Sequence, residues 1–364
     1  MKTLAQVRWM FAGAVAAALL AVSSCSTTRV LADGEYRLAK TEVNVLNDKK
    51  FNSAKVYPYI KQKPNSNLIF GWNPFMNVYN WGAGKNTFFP RLFRKIGTSP
   101  VVYESDKVDA SVENIARHLE YLGYYGSSVD SEVSVKRKIV KVSYNISLGK
   151  RFPVGDVTFV LPDTGEFAAT FLADTGRVLV HRGDFLSEEV LETESQRSSA
   201  YMKNSGYYGF SKNYYFFQAD TLSNPGFASL EYRINGYTRN ETPKEAAPFR
   251  KFRFGDIDII RPESLRIRDK ILRDLNTLHP GDVYSETAVN NTYSRLSALS
   301  VLSGVNVDVR QADTNIVNAE ISLSASRLQG LKFNIEASSN SSGLFGISPG
   351  LSYYNKNIFR GGEV

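Results

Sequence analysis

Apolar and polar residues alternate along this chain with two different periods, and the switch between them recurs. Over residues 111–122, Val112, Ile115, Ala116, Leu119 and Leu122 return at helical spacing on one face. Gly123 stops that helix, and the period then drops to two. Val129, Val133 and Val135 alternate with Asp130, Glu132 and Ser134, and Val140, Val142, Tyr144 and Ile146 with Lys141, Ser143 and Asn145. The pattern predicts a hairpin with one buried face. Upstream, residues 42–46 read as a strand and residues 53–61 as a helix.

The same order returns twice. Residues 155–159 and 255–259 both open on Gly-Asp and read as strands. A turn-and-cap string follows each one. His181-Arg182-Gly183-Asp184-Phe185-Leu186-Ser187-Glu188 matches His279-Pro280-Gly281-Asp282-Val283-Tyr284-Ser285-Glu286, 98 residues further on. Gly-Asp suits a turn, and serine followed by glutamate suits a helix start. The third helix keeps Val289, Tyr293 and Leu296 in phase, and its hairpin uses Val305, Val307 and Val309, then Val317, Ala319, Ile321 and Leu323. The second helix, over 190–202, has a weak apolar stripe. Gly123-Tyr124-Tyr125-Gly126 and Gly206-Tyr207-Tyr208-Gly209 mark the corner from helix to hairpin, with Ser303-Gly304-Val305 as a third version without tyrosines. The tyrosines read as packing on their own modules, with client contact as the alternative. Each round is strand, helix, helix, hairpin: an α+β module with a small sheet and two helices on one face.

Composition changes little in this picture. With 364 residues, 43% hydrophobic and 22% charged, the chain is globular and long enough for two to four domains. Its 20 Tyr and 22 Phe favour strands. The net charge of +8 comes with acids and bases interspersed, as in residues 266–274, and no nucleic-acid motif is present. Nucleic acid is therefore not an expected partner.

The N-terminus reads as an address. Lys2 and Arg8 precede an apolar run over 10–20, too short to span a membrane, and Val22-Ser23-Ser24-Cys25 resembles the bacterial lipobox. Cys25 is the sole cysteine, which excludes an intrachain disulfide. The resemblance implies a signal peptide over 1–24, a lipidated Cys25 and a tether over 25–38. Each buried CH₂ of such an anchor contributes about 0.8 kcal/mol.

Gln62-Lys63-Pro64-Asn65, Arg94-Lys95-Ile96-Gly97 and Pro100-Val101-Val102-Tyr103 add to the lipobox, the tyrosine corners and the paired turns. Together, in this order, they resemble the periplasmic part of BamA/TamA-type outer-membrane assembly factors, especially the lipoprotein-anchored TamA-like proteins of Bacteroidetes. The resemblance implies tandem POTRA modules over 39–150, 151–239 and 250–327, with a linker at 240–249. Residues 328–364 then read as the start of a transmembrane β-barrel: 330–337 alternates strictly, 347–354 is strand-like, and 357–363 looks like the family's first barrel hairpin. Two strands cannot close a barrel, so a fragment is expected. The first module carries an insertion over 62–100 with Phe70, Trp72, Phe75, Tyr79, Trp81, Phe88 and Phe89. It reads as a satellite core, with an exposed patch for a protein partner or a membrane interface as the alternative.

Chemistry is sparse. Gly346-Ile347-Ser348-Pro349-Gly350 has the spacing of a serine-hydrolase elbow, but Pro349 has no N–H to give an oxyanion hole. Gly82-Ala83-Gly84-Lys85-Asn86 lacks the hydroxyl that a phosphate loop places on magnesium. His118, His181 and His279 have no metal-ligand spacing. No enzyme, metal or cofactor is expected. The resemblance implies instead a receptor for unfolded outer-membrane proteins, bound by β-augmentation at free sheet edges. The candidate edges are Val129, Val133 and Val135; Tyr214 and Phe216; and Val305, Val307 and Val309. Implied partners also include outer-membrane lipid, through Cys25 and the barrel, and an inner-membrane protein of the TamB type. Translocation of another envelope cargo and a polysaccharide-binding periplasmic lipoprotein are the alternatives.

Overall fold

The computed structural model describes residues 28, 30–66, 73–82, 87–224, 226–238, 248–339 and 345–356. The expected signal peptide, Cys25, Trp72, most of the glycine-rich 82–86 segment, most of the expected linker and residues 357–363 lie outside the described residues. The chain divides into two compact units, Met1–Pro153 with Phe185–Glu189, and Val154–Asp184 with Val190–Val364.

The first unit holds one module. Strand β1 (Arg37–Val45) pairs in parallel with β3 (Ile139–Ser147), and β2 (Ser128–Lys136) pairs antiparallel on the other side, giving the order β1-β3-β2. A central strand is covered along both edges, and so Val140, Val142, Tyr144 and Ile146 are all buried. On edge strand β2 only Val129 reaches the core, and Val133 and Val135 are exposed. The single buried face expected of this hairpin is therefore complete on one strand alone. The apolar stripe of the long helix Ser105–Tyr121 packs on this sheet through Val108, Ile115 and Leu119.

Two expectations for this module change. In place of a helix over 53–61 there are two 3₁₀ turns, Ser53–Lys55 and Tyr57–Tyr59. Pro58 has no N–H with which to continue a helix. The insertion forms a helical hairpin, α1 (Pro74–Trp81) and α2 (Phe88–Ile96), followed in chain order by the long helix α3 (Ser105–Tyr121). It is not a satellite core. Met76 is the only buried apolar side chain among the hairpin's described residues, whereas Phe75, Trp81, Phe88, Phe89, Leu92 and Ile96 are exposed.

The second unit repeats the βααββ order twice. In the second module, β4 (Val154–Val160), α4 (Glu166–Leu172), α5 (Glu188–Asn204), β5 (Tyr215–Asp220) and β6 (Ala228–Ile234) form a sheet ordered β4-β6-β5. In the third, β7 (Arg253–Ile260), α6 (Asp269–Leu275), α7 (Glu286–Ser297), β8 (Leu302–Asp313) and β9 (Ile316–Ala325) give β7-β9-β8. Module two has an aromatic core of Phe167, Phe171, Tyr207, Phe210, Tyr215 and Tyr232. Module three has an aliphatic cluster, built on Leu265, Leu272, Leu296, Val301, Ile321 and Leu323, and a second one around Phe252, Phe254 and Tyr284.

The matched Gly-Asp turns have one structural job. Gly183 N donates to Val154 O and Asp184 O accepts from Val154 N. Gly281 and Asp282 make the same pair of bonds with Phe254. Each turn thus covers the outer edge of its module's first strand where that strand begins. Ser285 Oγ accepts from Ala288 N, which caps α7.

A two-stranded antiparallel hairpin follows, β10 (Gln329–Ser339) and β11 (Phe345–Asn355). Its register sets Leu331 opposite Tyr353, Phe333 opposite Leu351 and Ile335 opposite Pro349. Gly346–Gly350 therefore lies within a strand, which continues past Ser348 to Asn355.

Candidate functional site

In each module the strand opening the hairpin lies at a sheet edge: among the described residues, β2, β5 and β8 each pair with a single neighbouring strand. The opposite edges are β1, β4 and β7. The Gly-Asp turns close the beginnings of β4 and β7. The start of β1 is covered as well: Leu38 N donates to Val101 O, and Tyr103 N donates to Tyr36 O. The two edges of each sheet are thus unequal.

The candidate residues sit differently along these edges. Val133 and Val135 are exposed on β2. Tyr214 lies in the 3₁₀ turn Lys212–Tyr214 just before β5, and Phe216 is half-buried beside Tyr237 at 5.7 Å. Val305, Val307 and Val309 are half-buried against the third core. Charged Asp130 and Glu132 on β2, and Asp308 and Arg310 on β8, flank the candidates and discourage indiscriminate pairing.

One position in each module was not legible as a site. Ser111, Glu194 and Thr292 are fully buried on the long helices. Each accepts a hydrogen bond from a backbone N–H upstream of its helix. Lys61 N donates to Ser111 Oγ at 3.0 Å, Leu179 N to Glu194 Oε2 at 3.0 Å, and Thr277 N to Thr292 Oγ1 at 2.9 Å. Ser111 and Glu194 are 83 residues apart, the spacing that also separates Gly123 from Gly206. Glu194 and Thr292 are 98 apart, the spacing of the two turn strings. The repeat offsets were therefore the signal that could have found this position.

Around Glu194 lies a set of buried and half-buried ionisable groups. Arg197 donates to both Glu194 oxygens at 2.8 and 2.9 Å and to Asp174 Oδ2 at 2.6 Å. Glu194, then Asp174, holds the Arg197 guanidinium more firmly protonated than an ordinary arginine. Tyr232 Oη reaches Glu194 at 3.3 Å, and Tyr215 Oη donates to Ser198 at 2.8 Å. Burial pushes both phenols up. Every oxygen of Glu194 has a protein partner, and the helix, loop and sheet are tied together through it. The geometry is that of a structural knot.

The tyrosine corners clasp the chain beyond them. Gly123 and Gly206 adopt φ of 87° and 106°, the left-handed region that glycine tolerates. A Cβ on Gly123 would strike the Leu186 carbonyl, and one on Gly206 would meet Val283 Cγ1. Tyr125 exchanges backbone hydrogen bonds with Lys150 at 3.0 Å, while Phe252 N donates to Gly206 O at 2.8 Å. Tyr207 is buried in its own module. Tyr208 is not: it packs edge-on to Phe252 and Tyr284 and donates from Oη to Val309 O at 2.7 Å. That corrects its expected place on module two. The third corner also differs, since Gly304 lies inside β8 and is not among the left-handed glycines.

The histidines make local contacts. His118 stacks on Tyr59 at 3.8 Å, and burial lowers its pKa. His181 and His279 pair with Asp184 and Asp282 in the exposed turns. No cluster able to hold a metal ion occurs among the described residues.

Residues 41–149 match the sequence family described as POTRA, surface antigen variable number repeat. The first module is a POTRA domain. The second and third repeat the POTRA-like strand and helix order within the same chain. No curated protein sequence matches the chain. Among solved structures it is similar to POTRA3-5 of BamA from Haemophilus influenzae, at 11% identity and TM-score 0.44, covering 81% of this chain and 99% of that one. It is also similar to POTRA1-3 of Omp85 from Anabaena, at 12% identity and TM-score 0.25, covering 81% and 97%. A third is CdiB from Acinetobacter baumannii, at 14% identity and TM-score 0.29, covering 59% of this chain and 37% of that one. The chain spans 35% of BamA from Haemophilus ducreyi lacking POTRA domains 1-3. These likenesses are loose.

Proposed function

We propose that these modules are the periplasmic arm of an outer-membrane barrel protein, receiving unfolded outer-membrane proteins and helping to insert them. One observation carries the reading: each module has an edge strand that pairs with a single neighbouring strand among the described residues, in a chain that continues into an amphipathic hairpin. On that hairpin Leu331, Phe333, Ile335, Ile347, Leu351 and Tyr353 share one face, and all six are exposed. Lys332, Asn334 and Glu336 alternate with them. This is the pattern of a strand pair with a lipid face and a lumen face. A lipidated Cys25 would hold the arm at the outer membrane from its other end.

Client strands would add to β2, β5 and β8, using Val129, Val133 and Val135, Tyr214 and Phe216, and Val305, Val307 and Val309. Backbone hydrogen bonds supply such binding with little demand on client sequence, which suits a receptor for many barrels. A photo-crosslinking residue at Val135 or Val305, offered a urea-unfolded barrel protein, is expected to capture it. The same probe at Glu113, on the outer face of α3, is expected to stay silent. Equal capture from Glu113, or none from either edge, would remove the edge assignment. In the hairpin, Phe333→Arg should cost about 2–4 kcal/mol if that face meets lipid, read as lost membrane assembly.

A further inference from the structure

The insertion of the first module presents an apolar face that is exposed among the described residues. At about 100° per residue, Phe88, Phe89, Leu92, Phe93 and Ile96 fall on one contiguous arc of α2, with Arg91, Arg94 and Lys95 on the other. In a core-packing helix the apolar arc is hidden. Here Phe88 is 74% exposed, Phe89 67% and Ile96 55%. Trp81 and Phe75 of α1 are exposed beside them. The hairpin is nevertheless firmly built. An added Cβ on Gly82 would meet the Pro90 carbonyl and one on Gly97 the Tyr79 backbone, and Arg37 Nη1 approaches Met76 Sδ at 3.2 Å. The exposed face therefore belongs to a fixed element.

Charge identifies what this face suits. Residues 49–103 contain nine Lys and Arg and no Asp or Glu. That is +9, against +8 for the whole chain, so the other 309 residues carry 35 basic and 36 acidic groups and are almost neutral. An apolar arc of Phe, Leu and Ile with basic residues at its margins, and exposed tryptophan alongside, is the chemistry of the membrane–water interface. A protein partner buried on such a patch would have to supply acids throughout, whereas an anionic bilayer does so over its whole surface.

We infer that the α1–α2 hairpin is a membrane-surface docking element. Phe88, Phe89, Leu92 and Ile96 would enter the acyl boundary of a bilayer, and Arg91 and Lys95 would lie among anionic headgroups. It acts independently of client binding and is read without a client.

The test uses the full chain carrying Trp9→Phe, which leaves Trp72 and Trp81, both in or beside the hairpin, as the only tryptophans. The probe is a vesicle of phosphatidylcholine with phosphatidylglycerol, its acyl chains brominated. Tryptophan emission is expected to shift to the blue and to be quenched on these vesicles. Pure phosphatidylcholine vesicles are expected to have a much weaker effect. Phe88→Ser with Phe89→Ser should weaken docking by roughly 100-fold, and Arg91→Gln with Lys95→Gln by roughly tenfold or more. Because all four side chains are exposed, thermal unfolding should not change in either variant. Emission indifferent to anionic vesicles would overturn the inference, and so would quenching that both variants retain. A chain attached only through its N-terminal segment would show that second outcome.

Discussion

Helices α5 and α7 occupy the same place in two copies of one fold, yet they meet their sheets with opposite chemistry. At positions 98 residues apart, Ser198 and Leu296 are both buried against the sheet. Leu296 packs among Leu272, Val301, Ile321 and Leu323. Ser198 instead takes the Tyr215 hydroxyl, inside a core of aromatic rings. One turn earlier Glu194 stands where Thr292 does, and both accept a loop N–H. The fold demands an acceptor at one position and a filled volume at the next, and it is indifferent to what supplies them. The ionic version has more at stake, because a buried carboxylate and its guanidinium must both keep their partners.

The largest effect should come from dismantling that ionic version. Glu194→Ala is expected to cost about 3–5 kcal/mol in chemical denaturation, since it strands Arg197 and the Leu179 N–H. Thr292→Ala, the matched change, should cost about 1–3 kcal/mol for one unpaired N–H. Equal losses would break the comparison. Next comes the neighbouring position. Leu296→Ala should cost about 3 kcal/mol as a cavity, and Ser198→Ala about 1–2 kcal/mol by leaving the Tyr215 hydroxyl unpaired. A smaller effect is expected at the corner. Tyr208→Phe keeps the ring contacts and removes one hydrogen bond, for about 1 kcal/mol in the same unit's unfolding.

The first module offers the smallest and most selective test. Burial lowers the His118 pKa from 6.5, so the unfolded chain takes up that proton more readily than the folded one. The contribution to stability is complete above 6.5 and is lost as pH falls through the folded value. His118→Phe, which preserves stacking on Tyr59, should flatten this part of the pH profile. A profile that does not change would assign the acid sensitivity elsewhere.

Where apolar residues supply the packing, the period is written in the sequence: α3 with Ile115 and Leu119, the β3 alternation, and α7 with Leu296. Helix α5 is faint for a physical reason, since Glu194, Ser195, Ser198 and Ser199 face inward and only Met202 signals a core. The α2 face misleads in the other direction, because its apolar arc is turned outward. Pro58 divided an expected helix into two turns, and Gly304 resembled a corner glycine only through its neighbours. The edge strands were legible because sheet order follows from the strand, helix, helix, hairpin sequence. What covers the opposite edges depends on hydrogen bonds between distant turns, and no local pattern announces them.

The hydrogen bond from Tyr208 to Val309 couples two otherwise separate properties. The carbonyl that receives it belongs to edge strand β8, while the hydroxyl comes from the corner that clasps module three. A ligand strand that engages or reshapes β8 at Val309 therefore bears on the clasp, and any change at the clasp bears equally on that strand. Thermodynamic reciprocity makes the two effects the same size. Stiffness between neighbouring modules and affinity at their edge would then be one quantity measured from two ends.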